Sequence, residues 1–557
     1  MRWRAPTAGM AVGLGLSVAE CSLVLRNLLR GFGSGGVVPI ALPVVAVYLL
    51  FGAAADLLVQ AVAPARHRHR RLLRGGAAAL TAYVLGVTSG QLLFSLTLVM
   101  AAACAWAALL LHRRGRFVAL PLALAGMWRM GPASPEPRGA ATGPAAEGPD
   151  IALVVLDTLR RDRCSTFGYP HETTPNLTAL AERGVRFDAA WSTAPWSLPA
   201  HGSMFTGLMP EAHGAHNLHP SMPADRPLLV ERLAAAGYQA AGFSANPFAG
   251  TGTGMARGYH WFEDHWRRFT LHEVLLGFRV RNGLFGVDRD KGGAAILEGV
   301  ARWWAQRDPD RPAWLFVNFM EPHGPYQEVP LPWRSAFTEA PLTALERAGE
   351  AVHMAQIFNI PVDDVHQDLN DEVLDGCVLA ADHYLGRVME IVGPDTVVIA
   401  LSDHGDMLGE KGYFGHNTGL WEPILRVPVV IAGPGIPEGQ VVSDPISLVD
   451  IFPTVLGLAG VSAPQSDGVD LRPVMAGERS LAGRVVHAQH MRTVYTTSGW
   501  RSRHPFDDLE PHLAARTASI TPLAKRILVE GGPDLGFDLV DDPDEEAPFD
   551  GALTGLR

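Results

Sequence analysis

The sequence predicts an α/β protein with a large sheet flanked by helices, a smaller C-terminal subdomain and a helical transmembrane region in front of both. Apolar, strand-like runs alternate with helix-like segments from Ile151 onward. A Pro/Ala/Gly-rich stretch at 131–150 separates them from an apolar, arginine-flanked N-terminal part. A chain of 557 residues is also too long for one hydrophobic core, so several units are expected.

Residues 1–130 have the composition of a membrane segment. They contain thirteen Arg, no Lys and two acids, a net charge of +11, whereas the whole chain carries −11 and the remainder therefore −22. Nucleic acid does not suit so acidic a remainder, so we exclude it as a partner. About five helices would account for the apolar runs, which lie at 10–25, 37–64, 76–111 (two helices that turn near 88–91) and 117–128.

Charge predicts the orientation of this region. The basic N-terminus and the arginine-rich blocks at 66–74 and 113–116 would face the cytoplasm. If five helices cross the membrane, the protein is an integral membrane protein, and the residues after 130 lie on the extracytoplasmic side. The alternative is that 1–32 form a signal-like or interfacial segment, which would change the sidedness.

The remainder divides into three parts, namely the linker at 131–150, a main domain at 151–476 and a C-terminal subdomain at 477–557. Strands are predicted at 151–157, 239–244, 313–320, 396–401, 427–432 and 536–540. Helices are predicted at 175–184, 228–236, 294–306, 371–392 and 448–459. The segment 327–371 lacks clear periodicity and is interpreted as a lid or insertion. Four cysteines, two of them in the apolar N-terminal runs, do not make a disulfide framework.

The most informative stretch is 194–207, which reads A-P-W-S-L-P-A-H-G-S-M-F-T-G. It turns through two prolines into a predicted helix, and Ser197 lies at the turn. Backbone N–H groups are unpaired at a helix start, and the helix dipole favours negative charge there. An alkoxide or a tetrahedral oxyanion would therefore be stabilised at Ser197. The alternative is that Ser197 only caps the helix.

Three further stretches place polar residues at the carboxyl end of a predicted buried strand. Asp157 follows the first strand, His323 follows the strand at 313–320, and Asp403, His404 and His416 follow the strand at 396–401. Open α/β sheets bind ligands at this edge. Two aspartates, a histidine and a hydroxyl oxygen suit a hard divalent ion, which would activate the hydroxyl and neutralise an anionic ester. Each residue alone could equally be a turn former.

These stretches resemble the sulfatase family of the alkaline-phosphatase superfamily over roughly 150–549. The matching motifs, in family order, include D-T-L-R-R-D, S-L-P-A-H-G-S-M-F-T-G, E-P-H-G-P-Y and S-D-H-G-D-M-L-G-E-K-G. The resemblance implies an alkaline-phosphatase-like large mixed sheet. It also implies roles for individual residues: Asp157, Ser197, Asp403 and His404 as ligands of one divalent metal ion, Ser197 as the nucleophile, and His323 and His416 as contacts of substrate oxygens. Calcium, magnesium or manganese is the expected ion, and zinc is possible.

Three departures from the family pattern bear on the substrate. His201 takes the place of the Arg that follows the modified residue in sulfatases, which disfavours oxidation of Ser197 to formylglycine and makes His201 a second catalytic candidate. Thr158 stands where a second acid is often found. The family's G-K-x-H-type element is missing, and the corresponding region reads G-Y-Q-A-A-G-F-S-A-N-P.

Three functions are compatible with these observations. The first is a metal-dependent ester hydrolase that acts outside the membrane on a sulfated or phosphorylated glycan, lipid or small molecule. The second is a membrane transferase of phosphoglycerol or phosphoethanolamine type that acts on envelope lipid or glycan, because an unmodified hydroxyl can pass its phosphoryl group to an alcohol. The third is a non-catalytic envelope-binding protein. Retention of all the expected ligands favours an enzyme.

Overall fold

The computed structural model describes residues 145–265, 290–358, 360–417, 419–492 and 514–549, which belong to one compact unit. No helix within these ranges combines the length and apolar character needed to cross a bilayer. The predicted transmembrane region at 1–130 and most of the predicted linker lie outside the described residues.

A mixed sheet of eight strands forms the centre of this unit. The strand order is β11-β2-β10-β7-β1-β6-β4-β5. Strand β10 is antiparallel to β7 and β2, whereas the neighbours from β7 to β5 are all parallel. The large mixed α/β sheet predicted from the sequence is confirmed. Its strands are β1 (Asp150–Leu156), β2 (Gly184–Phe187), β4 (Gln239–Ser244), β5 (Trp261–Asp264), β6 (Ala313–Phe319), β7 (Thr396–Leu401), β10 (Val429–Ala432) and β11 (Gln440–Val442).

Helices and short strands complete this domain. The helices are α1 (Pro175–Glu182), α2 (Ser197–Thr206), α3 (Pro210–His213), α4 (Leu229–Ala235), α5 (Gly293–Gln306), α6 (Leu331–Arg334), α7 (Leu342–Phe358), α8 (Asp364–Val392), α9 (Glu422–Leu425), α10 (Ile451–Leu458) and α11 (Arg472–Met475). The short strand pairs are β3 (Ala190–Trp191) with β12 (Ile446–Ser447), and β8 (Met407–Leu408) with β9 (Phe414–Gly415).

The structure explains why the sequence of strand β1 is continuously apolar. Ile151, Leu153 and Val155 pack into the core on one face of the sheet. The alternate residues of β1 pack into a second core, which includes α8, on the opposite face. Because both faces are covered, every side chain of the strand from Ile151 to Leu156 is buried, as expected for a central parallel strand.

The interpretation of the segment 327–371 as a lid or insertion is wrong. It contains the helices α6 and α7 and the first turns of α8, which begins seven residues before the predicted helix. Leu345, Val352 and Ala355 of α7 are buried in the core that α8 shares. The segment is therefore part of the helical layer that covers the sheet.

A second sheet of four antiparallel strands lies in the C-terminal part. Its strands, in spatial order, are β13 (Val486–His490), β14 (Arg516–Ile520), β15 (Ala524–Val529) and β16 (Leu535–Asp538). Its buried face packs against Trp191, Leu420 and Leu425 of the main domain. The amide of Gln489 also donates a hydrogen bond to the Thr193 carbonyl, 2.8 Å away, so this sheet meets the loop that leads to Ser197.

Candidate metal and ester site

Four adjacent parallel strands deliver polar side chains to one edge of the large sheet. Asp157 directly follows β1, and Asp403 follows β7. Asn318 is the penultimate residue of β6, and Asn246 follows β4. The register pairs Val155 with both Leu401 and Asn318, so these strands end at nearly the same level. Parallel pairing therefore brings residues that are far apart in the chain into one site.

Three of the predicted metal ligands form a buried cluster. The ligand atoms of Asp157, Asp403 and His404 all lie within 4.8 Å of one another. Among the residues that the structure describes, Asp157 Oδ1 and Asp403 Oδ2 have no hydrogen-bond partner. Two buried carboxylate oxygens without partners are costly unless a cation compensates them, so the cluster fits a divalent ion.

The remaining atoms of these carboxylates are held by neighbouring groups. Asp403 Oδ1 accepts hydrogen bonds from the backbone amides of Thr158 (3.2 Å) and His404 (3.0 Å). Thr158 adopts a left-handed conformation with φ of 57° to make this contact, and such strain is typical of functional sites. Thr158, which stands where the resemblance implies a second acid, therefore supports Asp403 through its backbone.

His404 is oriented as a metal ligand. Its Nδ1 lies 2.8 Å from the carbonyl oxygen of Gly405, which can only accept, so the proton is on Nδ1 and the lone pair is on Nε2. Nε2 lies 3.4 Å from Asp403 Oδ2. Burial, helped by the nearby His416, lowers the pKa of His404 to about 3. The ring is therefore neutral, as a metal ligand must be.

Ser197 begins α2 and touches this cluster. Its Oγ lies 3.2 Å from His404 Nε2 and accepts a hydrogen bond of 2.9 Å from Asn246 Nδ2. Trp196 occupies the N-cap position, and no side chain caps the helix. The interpretation of Ser197 as a helix cap is therefore wrong. Its hydroxyl faces the cluster instead of the backbone amides.

His201 lies one turn after Ser197 and is fully buried. Its Nδ1 lies 2.9 Å from the Ser197 carbonyl oxygen, and its Nε2 lies 3.3 Å from Asn318 Nδ2. Both ring nitrogens thus contact protein groups. The catalytic role expected of His201 stays a prediction.

His323 and His416 are half-buried, and their rings lie in a row beside that of His404. The His416 ring centroid lies 4.6 Å from that of His404 and 5.0 Å from that of His323. Burial and the charge of His416 lower the pKa of His323. Burial opposes the charged form of His416, but the hydrogen bond and charge of Asp406 outweigh it and raise its pKa. The structure thus places both rings next to the cluster, where substrate oxygens were expected.

Sequence reasoning did not identify Asn246, Asn318 and Asp406 as site residues. Asn246 Nδ2 bonds both Ser197 Oγ and Asp157 Oδ2, the latter at 2.6 Å. Asn318 Nδ2 donates a second hydrogen bond to Asp157 Oδ2 at 3.0 Å. Asn246 had a recognisable signal, because it follows a predicted strand at the same edge as Asp157.

Comparison with known proteins shows the family to which the chain belongs. The family profile described as Sulfatase matches residues 149–461, more than half of the chain. The chain belongs to the sulfatase family. One similar relative is an arylsulfatase of Clostridium perfringens, with 24% identity over 61% of this chain and 81% of the relative. Another is a choline-sulfatase of Rhizobium meliloti, with 27% identity over 59% of this chain and 72% of the relative. The solved phosphonate monoester hydrolase of Agrobacterium radiobacter shares the fold, with a TM-score of 0.56, 22% identity and coverage of 72% and 91%. The protein is thus a sulfatase-like hydrolase.

Replacement of Asn246 by alanine should impair this sulfatase-family site without unfolding it. Ser197 Oγ and Asp157 Oδ2 would each lose a donor, so we expect kcat/KM for any ester that is turned over to fall about 10–100-fold. Steady-state kinetics at saturating metal concentration would measure this. Asn217→Ala is the control, because Asn217 is equally buried but donates to the Met491 carbonyl. Equal losses in the two variants would contradict the role given to Asn246.

Glu321, in the loop that leads to His323, should make stability depend on pH. Burial, with a contribution from the charge of Asp290, raises its pKa from the ordinary 4.5 to about 8. The folded state therefore favours the protonated acid. Its contribution to stability is complete below pH 4.5 and is lost as the pH rises to 8, by about 2–4 kcal/mol.

Urea unfolding between pH 5 and pH 8 would measure this loss in the wild type and in Glu321→Gln. The Gln variant should lack the loss and should therefore be the more stable protein near pH 8. Glu390→Gln on the exposed surface of α8 is the control and should keep the wild-type slope. A Glu321→Gln variant with an unchanged slope would disprove the assignment.

Proposed function

We propose that the protein is a divalent-metal-dependent hydrolase of an anionic sulfate or phosphate ester, with Ser197 as the nucleophile. One observation carries the proposal: the Ser197 hydroxyl lies 3.2 Å from His404 Nε2, at the edge of a carboxylate cluster with two unpartnered oxygens.

Asp157, Asp403 and His404 would hold the ion, with Ser197 Oγ beside it. When bound, a divalent ion lowers the pKa of such a hydroxyl and offsets the negative charge of the ester. Oxygen-rich ligands with one imidazole suit calcium, magnesium or manganese and also accept zinc. Asn246 orients the hydroxyl, while His323 and His416 contact the oxygens of the ester.

We also propose that Ser197 acts unmodified. His201 lies where the family carries the Arg of its modification motif, and the ring is committed to the Ser197 carbonyl and Asn318. A plain serine forms a phosphoserine that water or an alcohol can resolve, whereas a sulfated plain serine is harder to clear. This favours a phosphoric ester and makes transfer to an acceptor alcohol the second candidate function. The similar proteins have names that refer to sulfate esters and to phosphonate monoesters.

The test uses the purified full-length protein with each of the four metals and with para-nitrophenyl sulfate, bis-para-nitrophenyl phosphate and para-nitrophenyl phenylphosphonate. Release of para-nitrophenol that depends on metal is the expected result. Product analysis with added glycerol distinguishes hydrolysis from transfer, and the mass of the peptide that contains Ser197 shows whether it lost two hydrogens. No turnover of any ester with any metal would favour the non-catalytic binding protein and overturn the proposal.

Localisation is proposed from sequence alone. We infer that residues 1–130 anchor the protein in the membrane and that the catalytic domain is extracytoplasmic, as an enzyme acting on envelope lipid or glycan requires. Protease treatment of intact spheroplasts tests this. Digestion of the catalytic domain is the expected result, and protection until the membrane is lysed would contradict it.

A further inference from the structure

Asp406 is a buried carboxylate that the proposed metal site does not use. It lies two residues after His404 and is only 2% exposed. The buried cluster of possible metal ligands does not include it. Ionised groups are rarely buried to this extent without a specific partner, so its contacts indicate its role.

One oxygen of Asp406 holds His416. Its Oδ1 lies 3.1 Å from His416 Nδ1, and a carboxylate can only accept, so His416 carries a proton on Nδ1. Nε2 then lies on the opposite side of the ring, away from Asp406. It makes no hydrogen bond to any of the residues that the structure describes, and the ring lies beside those of His404 and His323.

The other oxygen fixes Asp406 itself. Asp406 Oδ2 accepts hydrogen bonds from Tyr326 Oη at 2.9 Å and from Gln356 Nε2 at 3.3 Å. Arg160 Nη1 donates to the Asp406 carbonyl oxygen at 3.0 Å, and Arg160 is in turn paired with Asp162 and Glu410. Tyr326 and Gln356 therefore hold the carboxylate, while Arg160 holds the backbone of the same residue.

We propose that Asp406 is a positioning residue that orients His416 and pairs with its doubly protonated ring, so that Nε2–H faces the leaving oxygen of the ester bound at Ser197. Tyr326 and Gln356 hold Asp406 in the position that this requires. The proposal rests on the proposed function of the site. A carboxylate that orients a histidine through Nδ1 is a recurrent arrangement in enzymes, and its loss costs activity even when the fold is intact.

The proposal predicts a dependence on the leaving group that a structural role would not produce. A hydrogen-bond donor at the leaving oxygen matters most when that oxygen gains much negative charge in the transition state. Phenyl esters are therefore more sensitive to its loss than para-nitrophenyl esters, whose leaving group spreads the charge over the ring. Weakened folding would instead lower both rates by the same factor.

The experiment compares Asp406→Asn with the wild type on a phenyl ester and a para-nitrophenyl ester that share the same central group. We expect kcat for the phenyl ester to fall about 100-fold and that for the para-nitrophenyl ester less than about 10-fold, with KM nearly unchanged. In a His416→Gln background, Asp406→Asn should cause no further loss, because the residue acts through that ring. Metal affinity, measured by calorimetry, should stay within about twofold of the wild type.

Asp375→Asn is a matched control. Asp375 is also buried and also binds a tyrosine and a histidine, at 2.8 Å from Tyr169 Oη and 2.6 Å from His171 Nδ1. This variant should leave both rates within about twofold of the wild type. If Asp406→Asn does not fold, Tyr326→Phe and Gln356→Leu replace it in the test, because each removes a hydrogen bond to Asp406 Oδ2. Each should lower kcat for the phenyl ester more than kcat for the para-nitrophenyl ester, by smaller factors than Asp406→Asn.

Equal losses on the two esters, a further loss in the His416→Gln background, or weakened metal binding would overturn the role of Asp406. These outcomes can be distinguished from an experiment in which the proposed ester hydrolysis itself fails. A wild-type protein that cleaves neither ester would overturn both proposals, whereas an active wild type with an unselective Asp406→Asn variant would overturn only this one.

Discussion

Replacement of Ser197 by alanine should lower kcat by at least about 1,000-fold at saturating metal concentration, for every ester that the wild type cleaves. The change removes the only atom that we propose to form a covalent bond with the substrate. The metal should still bind, because Asp157, Asp403 and His404 keep their positions. Steady-state kinetics and a metal titration on the same preparation would measure both effects.

Ser203→Ala is the control for this experiment. Ser203 lies in the same helix and is fully buried, but its hydroxyl has no hydrogen-bond partner in the described part of the chain. Its removal should leave kcat within about twofold of the wild type. If Ser197→Ala kept more than about a tenth of the activity, the nucleophile would have to be another group, such as a metal-activated water.

The parts of the site predicted from sequence are those in which a strand and its ligand are adjacent in the chain. Asp157 and Asp403 follow continuous apolar runs, and such runs predict buried parallel strands whose ends meet at one edge. The bounds of β4 and β7 are also those predicted, because turn-forming residues delimit both strands. These features depend on local sequence alone.

The features that were missed depend on the tertiary structure. Asn318 lies inside an apolar strand, and nothing in its neighbourhood distinguishes a site residue from a buried polar residue. His201 has the spacing of a catalytic residue, but no pattern in the sequence indicates that its ring is fully buried with Nδ1 next to the Ser197 carbonyl oxygen. The helix α7 lacks a simple apolar stripe because it packs along α8 while part of its surface stays exposed.

The C-terminal sheet is attached to the main domain through a buried ammonium group. Lys525 of β15 is fully buried, and its Nζ lies 3.1 Å from Glu422 Oε1 and 2.8 Å from Glu545 Oε1. Glu422 also accepts a hydrogen bond from Trp191 Nε1, and the Glu422 amide donates to Glu545 Oε2. One ammonium group therefore joins the C-terminal sheet to the first residue of α9 and to Glu545.

Replacement of Lys525 by methionine should lower the free energy of unfolding by about 3–5 kcal/mol, because two buried carboxylates would face each other without a cation. Urea unfolding at pH 7 would measure this. Arg526→Met is the matched control, since the neighbouring Arg526 forms an exposed ion pair with Asp534 that should contribute at most about 1 kcal/mol.

The triple variant Lys525→Met, Glu422→Gln, Glu545→Gln should recover part of the lost stability, because it removes the uncompensated charges together with the ammonium group. If the single and triple variants were equally unstable, the loss would come from packing of the Lys525 side chain and not from its charge. Because α9 starts at Glu422, close in sequence to His416, we also expect activity to fall in the single variant and to recover with stability in the triple variant.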